Sequence, residues 1–297
     1  MNPVTVHFET WDGIVRSWNV PQTVYPPRED TYFLAKVLRD VVKRTETHNI
    51  LEIGVGSGAI SMTLALEGHR VTGIDIHPEA VAVTQGLATE LHLQANLNVF
   101  EEDIRELEFK QQYDIITWNA PYLDAVENEN QALQWSDEVS LTACIEDHRI
   151  LSTNIIQGEG LSRNGFLLLV LSREKTCYEI AQAYAADGWA MRPIDYSSHG
   201  GEHLVALCLW RPWPDKQNIE LHETGSTNLV ALEMSNLEPG DHVIAHNQTS
   251  GKGRKGREWI SRPGDFTASW VLPVTPHFIE RPQTTQLRAA IATMDAL

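Results

Sequence analysis

The chain has 297 residues, of which 42% are hydrophobic, and its formal net charge is −17. This length suits one large domain or two modest ones, and no run approaches the ~20 apolar residues that a membrane span requires. The acidic charge disfavours binding to a nucleic-acid backbone, which needs a basic face. The first residues carry no basic-then-apolar signal pattern, so we expect a cytoplasmic protein. The three cysteines are isolated in the sequence, which indicates free thiols and no metal site.

Strands and helices alternate from about residue 48 to residue 210, which predicts a doubly wound α/β sheet of seven strands. The predicted strands are 49–53, 70–75, 97–100, 113–118 and 165–171, closed by an antiparallel hairpin of 189–196 and 203–210. The predicted helices are 59–66, 78–91, 145–161 and 174–186, and residues 124–145 are predicted as a loop or short helices.

Shorter segments flank this sheet on both sides. Residues 4–8 and 14–20 surround Asp12-Gly13, a signal for a β-hairpin. After the sheet, two prolines within residues 211–215 predict a linker, and a second alternation of strand, helix and strand begins near residue 219. We therefore expect an N-terminal hairpin at residues 1–23, a doubly wound domain at residues 24–213 and a partial α+β segment at residues 214–297.

The first strand of the sheet ends in a glycine-rich turn. Gly54, Gly56 and Gly58 follow residues 49–53 and precede a predicted helix. Glycines at this spacing allow a tight turn, a close approach of the backbone to a ligand and a helix N-terminus nearby. Many nucleotide-binding folds share the pattern, and a purely structural turn produces it too. By itself the turn predicts a cofactor site only weakly.

Acidic residues at successive strand ends sharpen this prediction. Glu52 precedes the first glycine, where a carboxylate suits a cationic amino-acid group better than a pyrophosphate. Asp75 ends the second strand, 21 residues after Gly54, where a carboxylate can accept both ribose hydroxyls. Asp103 and Ile104 follow the third strand, where they can bond an adenine amino group and pack on its ring. Together these residues predict S-adenosylmethionine (SAM) as the cofactor.

The fourth strand runs into Asn119-Ala120-Pro121-Tyr122, which we predict to be the catalytic motif. An amide nitrogen is a poor nucleophile, so an enzyme that methylates it must hold it in line with the methyl group and exclude water. The Asn119 oxygen and the Ala120 carbonyl can accept the two hydrogens of a substrate NH2. Pro121 fixes the backbone, and Tyr122 can stack on the planar amide.

In these motifs, residues 24–211 resemble a class I SAM-dependent methyltransferase of the HemK kind, which modifies the glutamine of the Gly-Gly-Gln motif in peptide-chain release factors. The short archaeal and eukaryotic branch of that family opens with Val-Tyr-x-Pro-x-Glu-Asp-Thr, and residues 24–31 match this pattern. The resemblance implies a protein glutamine N5-methyltransferase with a release factor as its substrate. It also places Thr31 at the cofactor, and residues 75–80 match the family's second motif.

The expected cofactor-binding residues are Thr31, Glu52, Gly54, Gly56, Gly58, Asp75, Ile76, Asp103, Ile104 and Asn119. Two departures from the family pattern concern the acceptor. Ala120 replaces the usual first proline of Asn-Pro-Pro-Tyr, and residues 134–141 lack the glycine that the family usually has near its substrate. At these two places the resemblance fixes the identity of the protein substrate least firmly.

Residues 219–272 resemble the start of the catalytic domain of biotin protein ligases. The match is carried by residues 223–228, with a Ser-Thr-Asn motif, and by the glycine- and arginine-rich residues 248–259. The resemblance implies that Thr227 and Gln248 contact biotin and that Arg254 neutralises phosphate; its full residue set is Ser226, Thr227, Asn228, Gln248 and Arg254. The family's later Lys-Trp-Pro-Asn-Asp segment is absent, so we expect a truncated or decayed ligase module without biotinylation activity.

Two other functions remain open. Adenine-N6 and cytosine-N4 methyltransferases of nucleic acids also use Asn-Pro-Pro-Tyr on exocyclic amines. Residues 1–213 carry 15 Lys and Arg against 30 Asp and Glu, a net charge of −15 that disfavours this reading. The second alternative is a biotin or biotinyl-adenylate binding module, which the missing lysine segment does not exclude.

Overall fold

The computed structural model describes residues 3–42, 46–121, 145–173, 175–199, 202–212, 216–252, 257–262 and 264–272. The chain divides into two compact units, Met1–Pro212 and Trp213–Leu297. Among the described helices, none has both the length and the apolar character needed to cross a bilayer. The predicted loop at residues 124–145 lies almost wholly outside the described part of the chain.

A seven-stranded sheet forms the centre of the first unit, with the strand order β5-β4-β3-β6-β7-β9-β8. Strand β9 runs antiparallel to the strands on either side of it, and the other pairs are parallel. The strands are β3 (Asn49–Ile53), β4 (Arg70–Asp75), β5 (Leu97–Glu101), β6 (Tyr113–Asn119), β7 (Leu161–Ser172), β8 (Ala190–His199) and β9 (Glu202–Trp210). The helices are α1 (Glu29–Val41), α2 (Ala59–Leu66), α3 (Pro78–Glu90), α4 (Ile145–Gln157) and α5 (Lys175–Ala186).

Helices cover both faces of this sheet, and each face has its own apolar core. Side chains of α1, α2 and α3 pack in one buried cluster, and those of α4 and α5 pack in the other. Strand β7 shows how a continuous apolar run serves both cores: Leu168 and Val170 point into the first cluster, and Leu167 and Leu169 into the second. Strands buried on both faces are apolar throughout rather than alternating. The prediction of a doubly wound sheet is confirmed.

The boundary between α4 and β7 differs from the prediction. The expected helix of 145–161 ends at Gln157, and β7 already begins at Leu161. A β-carbon on Gly160 would collide with the ring of Phe109, and the Gly160 carbonyl accepts the backbone N–H of Tyr113 at 2.9 Å. The chain therefore leaves the helix at this close approach and pairs with the start of β6.

The N-terminal strands β1 (Val4–Glu9) and β2 (Val15–Val20) form an antiparallel hairpin. Phe8 stacks on Tyr32 of α1 with ring centroids 4.9 Å apart. The indole N–H of Trp18 donates to the Ser57 carbonyl at 3.0 Å. The hairpin thus shares the first core and supports the glycine-rich turn from outside.

The second unit contains a three-stranded sheet of order β10-β11-β14. Strands β10 (Asn218–Thr224) and β11 (His242–Gln248) are parallel and are joined through α6 (Thr227–Glu233), and β14 (Thr267–Trp270) pairs antiparallel with β11. The short strands β12 (Gly251–Lys252) and β13 (Glu258–Trp259) form a separate pair. The prediction of an α+β segment is confirmed.

One carboxyl group lies inside the first core. Glu52 is 4% exposed, and its Oε2 accepts a hydrogen bond from the Ser61 hydroxyl of α2. Burial, with a smaller contribution from the neighbouring Asp75, raises the pKa of Glu52 from 4.5 to about 8, although the Ser61 hydrogen bond opposes the shift. Because the folded protein holds this proton where the unfolded chain has lost it, Glu52 lowers stability as the pH rises from 4.5 towards 8.

We predict that E52Q removes this pH dependence. Glutamine keeps a polar partner for Ser61 but carries no charge, so E52Q gains stability relative to the parent by roughly 1.4 kcal/mol for each pH unit in that window. Urea unfolding of both proteins at pH 5 and pH 8 measures the change. E90Q is the control, since Glu90 is exposed at the end of α3. An E52Q difference equal at the two pH values contradicts the prediction.

Candidate functional site

The candidate site lies where four parallel strands end. Strands β4 and β5 are added on one side of β3, and the next strand, β6, is added on its other side. Open α/β sheets bind ligands at such a switch point, outside the carboxyl ends of the strands. Ile53 of β3 pairs directly with Trp118 of β6 and with Ile74 of β4. The residues that follow these three positions, Gly54, Asn119 and Asp75, are therefore neighbours at one edge of the sheet.

The glycine-rich turn leaves this edge and enters α2. The backbone N–H groups of Gly54 and Val55 both donate to the Ile74 carbonyl, at 2.8 and 3.2 Å. Gly58, the residue before α2, has φ +83°, and a β-carbon there would lie 2.7 Å from the Thr84 hydroxyl oxygen. Only glycine satisfies both the left-handed backbone and the close contact with α3. The glycines therefore allow a compact turn whose backbone, rather than side chains, faces the edge of the sheet.

Asp75 connects this turn to β4. Its Oδ2 accepts the Gly56 N–H at 2.9 Å, and its Oδ1 accepts the His77 N–H at 2.8 Å. Burial raises the pKa of Asp75, and the two backbone N–H groups oppose that shift. Each carboxylate oxygen accepts more than one hydrogen bond. Asp75 therefore keeps the capacity to bind ribose hydroxyls while it holds the turn.

The residues after β5, and Ile76 after β4, are held less tightly than Asp75. Asp103 follows β5, is partly exposed, and accepts the Arg105 N–H at 2.9 Å. Ile104 packs against the second core, and its carbonyl accepts the Asn154 side chain at 2.9 Å. Ile76 is 44% exposed after β4. The described contacts do not link these three side chains to Asp75 or to the glycine turn.

Asn119 lies on the other side of the switch point and contacts α1. Its Nδ2 donates to Asp30 Oδ2 at 2.9 Å. Its Oδ1 is buried and has no hydrogen-bond partner within the described residues. A buried polar atom without a partner is costly and calls for an explanation. Here the unsatisfied atom is the acceptor that the sequence assigns to a substrate NH2.

Asp30, which was not among the residues predicted from the sequence, also belongs to the candidate site because it bonds to Asn119. It is 4% exposed, and it also accepts the Thr31 N–H at 2.7 Å and the Tyr25 hydroxyl at 3.1 Å. Thr31, predicted at the cofactor, is buried, and its hydroxyl accepts the Arg28 N–H at 3.3 Å. A signal was present: Asp30 shares the inward face of α1 with Phe33, Leu34 and Val37, an unusual position for a carboxylate.

The remainder of the catalytic motif is partly described. Ala120 is 1% exposed, and Pro121 is half-buried. Tyr122 and residues 134–141 lie outside the described residues. Below the motif, Trp118 packs on His148 with ring centroids 4.7 Å apart. Burial lowers the pKa of His148 to about 4, so this support is uncharged at neutral pH.

In the second unit, four of the five residues assigned to biotin and adenylate form one hydrogen-bonded network. Gln248 Oε1 accepts from the Thr227 N–H at 2.9 Å, and the Thr227 hydroxyl bonds to Ser269 at 2.8 Å. Ser269 donates to Asn228 Oδ1 at 2.6 Å. Asn228 Nδ2 donates to the Lys252 carbonyl at 2.9 Å, and the Lys252 N–H donates to Ser226 Oγ at 3.3 Å. Arg254 lies outside the described residues. Across the described part of both units, no group of three or more His, Cys, Asp or Glu could hold a metal.

Two family models match separate parts of the chain. The model of the methyltransferase domain matches residues 50–138. The model of the biotin/lipoate A/B protein ligase family matches residues 220–297. The first match spans the glycine turn, Asp75, Asp103 and Asn119, and the second spans the network around Thr227.

Individual relatives agree with the first match. A release factor glutamine methyltransferase of Fusobacterium nucleatum is 30% identical over 206 residues, which cover 66% of this chain and 57% of the relative. Another from Bacteroides thetaiotaomicron is 31% identical over 180 residues, with coverages of 58% and 60%. A bifunctional methyltransferase of Rickettsia bellii is 30% identical over 183 residues, which cover 59% of this chain and 33% of the relative.

The chain thus spans between a third and three fifths of the length of these relatives. Strand order, strand-end residues and family matches agree on the same assignment. The chain thus contains a segment that matches the methyltransferase domain, within a Rossmann-like sheet, followed by a segment that matches the biotin/lipoate A/B protein ligase family.

Proposed function

We propose that this protein transfers a methyl group from SAM to the side-chain nitrogen of a protein glutamine, the N5 position. The observation that carries this proposal is the Asn119 oxygen, buried and without a partner in the described residues, at the strand end beside the glycine turn. An acceptor fixed in that place suits a donor group such as an NH2. The relatives named release factor glutamine methyltransferases support glutamine as the carrier of that NH2.

The residues at the switch point fit SAM. Asp75 has hydrogen-bonding capacity left for ribose hydroxyls. Glu52, which was expected from the sequence at the amino-acid moiety, is instead buried against Ser61 of α2. Asp103, Ile104 and Ile76 follow β4 and β5, where an adenine ring would bind, and Thr31 and Asn119 lie on the opposite side. When bound, SAM supplies a methyl group on a positively charged sulfur.

The chain's own groups must then hold a weak nucleophile in place. The Asn119 oxygen accepts one hydrogen of the substrate amide and the Ala120 carbonyl accepts the other, which aims the nitrogen and fixes its orientation. Pro121 limits the movement of this backbone. A strong general base is unnecessary, because the nitrogen can lose its proton after the methyl group arrives. Replacement of the family's usual proline by Ala120 keeps the carbonyl acceptor.

A release factor is the proposed substrate, through the glutamine of its Gly-Gly-Gln motif, and the reaction is accordingly placed in the cytoplasm. Residues 1–213, with a net charge of −15, would repel a nucleic-acid backbone. A protein acceptor is therefore favoured over the exocyclic amine of a base.

Transfer of label from SAM tests the proposed function. Purified full-length protein is incubated with labelled SAM and a release factor, a Gly-Gly-Gln peptide, or an adenine-containing oligonucleotide. We expect labelled release factor and no labelled oligonucleotide. Labelling of the oligonucleotide alone would transfer the assignment to a nucleic-acid amine, and absence of label from both protein and peptide contradicts the proposal.

The second unit supports a separate candidate function, the binding of biotin or biotinyl-adenylate. The supporting observation is that Thr227, Asn228 and Gln248 lie in one network, within the segment that matches the ligase family. Calorimetry with biotin, alone and with ATP, decides this question. Saturable binding that T227V and Q248A both weaken supports the candidate, and an absence of heat contradicts it.

We predict that N119A lowers methyl transfer by at least about 100-fold. Removal of the amide leaves the substrate NH2 without its side-chain acceptor and without alignment, which are effects on the transition state. Initial rates with labelled SAM measure the loss, and calorimetry should show SAM affinity within about threefold of the parent protein. N98A is the matched control, since Asn98 is exposed on β5. An N119A variant with near-parental rates excludes Asn119 from the chemistry.

We also predict that D75A weakens SAM binding by about 10- to 100-fold, since one or two hydrogen bonds to a charged acceptor are lost. The Gly56 and His77 N–H groups lose their acceptor in the same variant, so thermal unfolding should be measured alongside calorimetry. D40N, at the exposed end of α1, is the control. Unchanged SAM affinity in a folded D75A protein would remove Asp75 from the cofactor site.

A further inference from the structure

The side-chain amide of Asn119 has two ends of opposite hydrogen-bonding character. Nδ2 only donates and Oδ1 only accepts, so a half-turn about the Cβ–Cγ bond inverts what the residue offers. Nδ2 donates to Asp30 Oδ2 at 2.9 Å, whereas Oδ1 is buried with no partner among the described residues. One end of the amide is held, and the other is left unsatisfied.

The Asp30 carboxylate is itself fixed on two sides. Its Oδ1 accepts the backbone N–H of Thr31 at 2.7 Å and lies 3.3 Å from the Thr31 hydroxyl, which donates to it. Its Oδ2 accepts the Tyr25 hydroxyl at 3.1 Å in addition to Asn119. An ionised carboxylate can only accept hydrogen bonds. The inverted amide would therefore place the Asn119 oxygen against an Asp30 oxygen.

We propose that Asp30 is a positioning residue that locks the Asn119 amide with its oxygen towards the acceptor site, and so selects an NH2-bearing glutamine over the carboxylate of a glutamate. This inference deepens the proposed function and rests on it. A glutamine NH2 satisfies the Asn119 oxygen. A glutamate carboxylate at the same place opposes oxygen to oxygen, which leaves two buried acceptors unpaired. Asp30 thus sets the specificity without touching the substrate.

The substitution D30N keeps the shape of the side chain at position 30 but changes its hydrogen bonding, and so tests what orients the Asn119 amide. The Thr31 N–H is a backbone donor, so it keeps the oxygen of the introduced amide on its own side, and the introduced NH2 then faces Asn119. Two NH2 groups cannot bond to each other, so the Asn119 amide turns and presents its own NH2 to the acceptor site. Methyl transfer to a glutamine peptide is expected to fall by about 100-fold, while affinity for S-adenosylhomocysteine stays within about threefold.

Orientation can be measured in the free protein. In a 15N-labelled protein, the side-chain NH2 resonances of Asn119 are identified by their loss in N119A. Hydrogen bonding to Asp30 protects them from exchange with solvent, and D30N should accelerate that exchange by at least about tenfold. Y25F is the matched control, since it removes one donor from the same Asp30 oxygen and leaves Asn119 bonded. Protection that is equal in D30N and the parent overturns the inference.

A compensating pair of substitutions tests the coupling. N119D alone sets two carboxylates against each other. In D30N/N119D, the NH2 introduced at position 30 bonds one oxygen of the carboxylate introduced at position 119, and the other oxygen again faces the acceptor site. The double variant should therefore recover at least about tenfold of the transfer rate lost in D30N. If the two losses simply add, Asp30 does not act through Asn119, and this outcome rejects the proposed orientation role.

The preference for glutamine over glutamate is measured by peptide binding. In the presence of S-adenosylhomocysteine, the parent should bind a Gly-Gly-Gln peptide at least about 30-fold more tightly than a Gly-Gly-Glu peptide, and D30N should reduce that ratio below about 3. A ratio unchanged by D30N overturns the selection role. Failure of the proposed function is a different result: the parent protein then methylates no glutamine substrate, while the exchange measurement still reports whether Asp30 holds the amide.

Discussion

The parallel pairing of β3 with β6 is the constraint on which the site depends. It places Ile53 beside Trp118, so that the chain leaves the sheet into the glycine turn at one strand end and into Asn119 at the adjacent one. A parallel sheet needs crossover helices on its faces, and α2 supplies the helix that begins directly after the turn. In the proposed reaction, a cofactor at the turn and an acceptor amide at Asn119 would be neighbours because of this strand pairing alone.

Burial around this edge gives the polar groups their properties and carries a cost. Glu52 and Asp75 are both held where burial raises their pKa values, and the Asn119 oxygen has no partner in the described structure. Such groups reduce the stability of the free protein. The same exclusion of water strengthens every hydrogen bond to a bound ligand. Part of this cost falls on groups that the proposed reaction uses.

The sequence was sufficient for features that depend on local patterns and insufficient for those that depend on distant contacts. Apolar runs such as residues 165–171 identify buried strands because burial on both faces leaves no polar position. The true start of β7 at Leu161 was missed, because it follows from the contact of Gly160 with Phe109. Asp30 was not identified from the sequence, because its bond to Asn119 joins residues 89 positions apart.

The central claim is that the methyl group is placed on an amide nitrogen held by Asn119, and the position of that methyl group in the product tests it most directly. Tandem mass spectrometry of a release factor after reaction with SAM and the full-length protein locates the modification. We predict one added methyl group on the side-chain nitrogen of the Gly-Gly-Gln glutamine, and no such group when the N119A variant is used. A methyl group on another residue, or the same product from N119A, contradicts it.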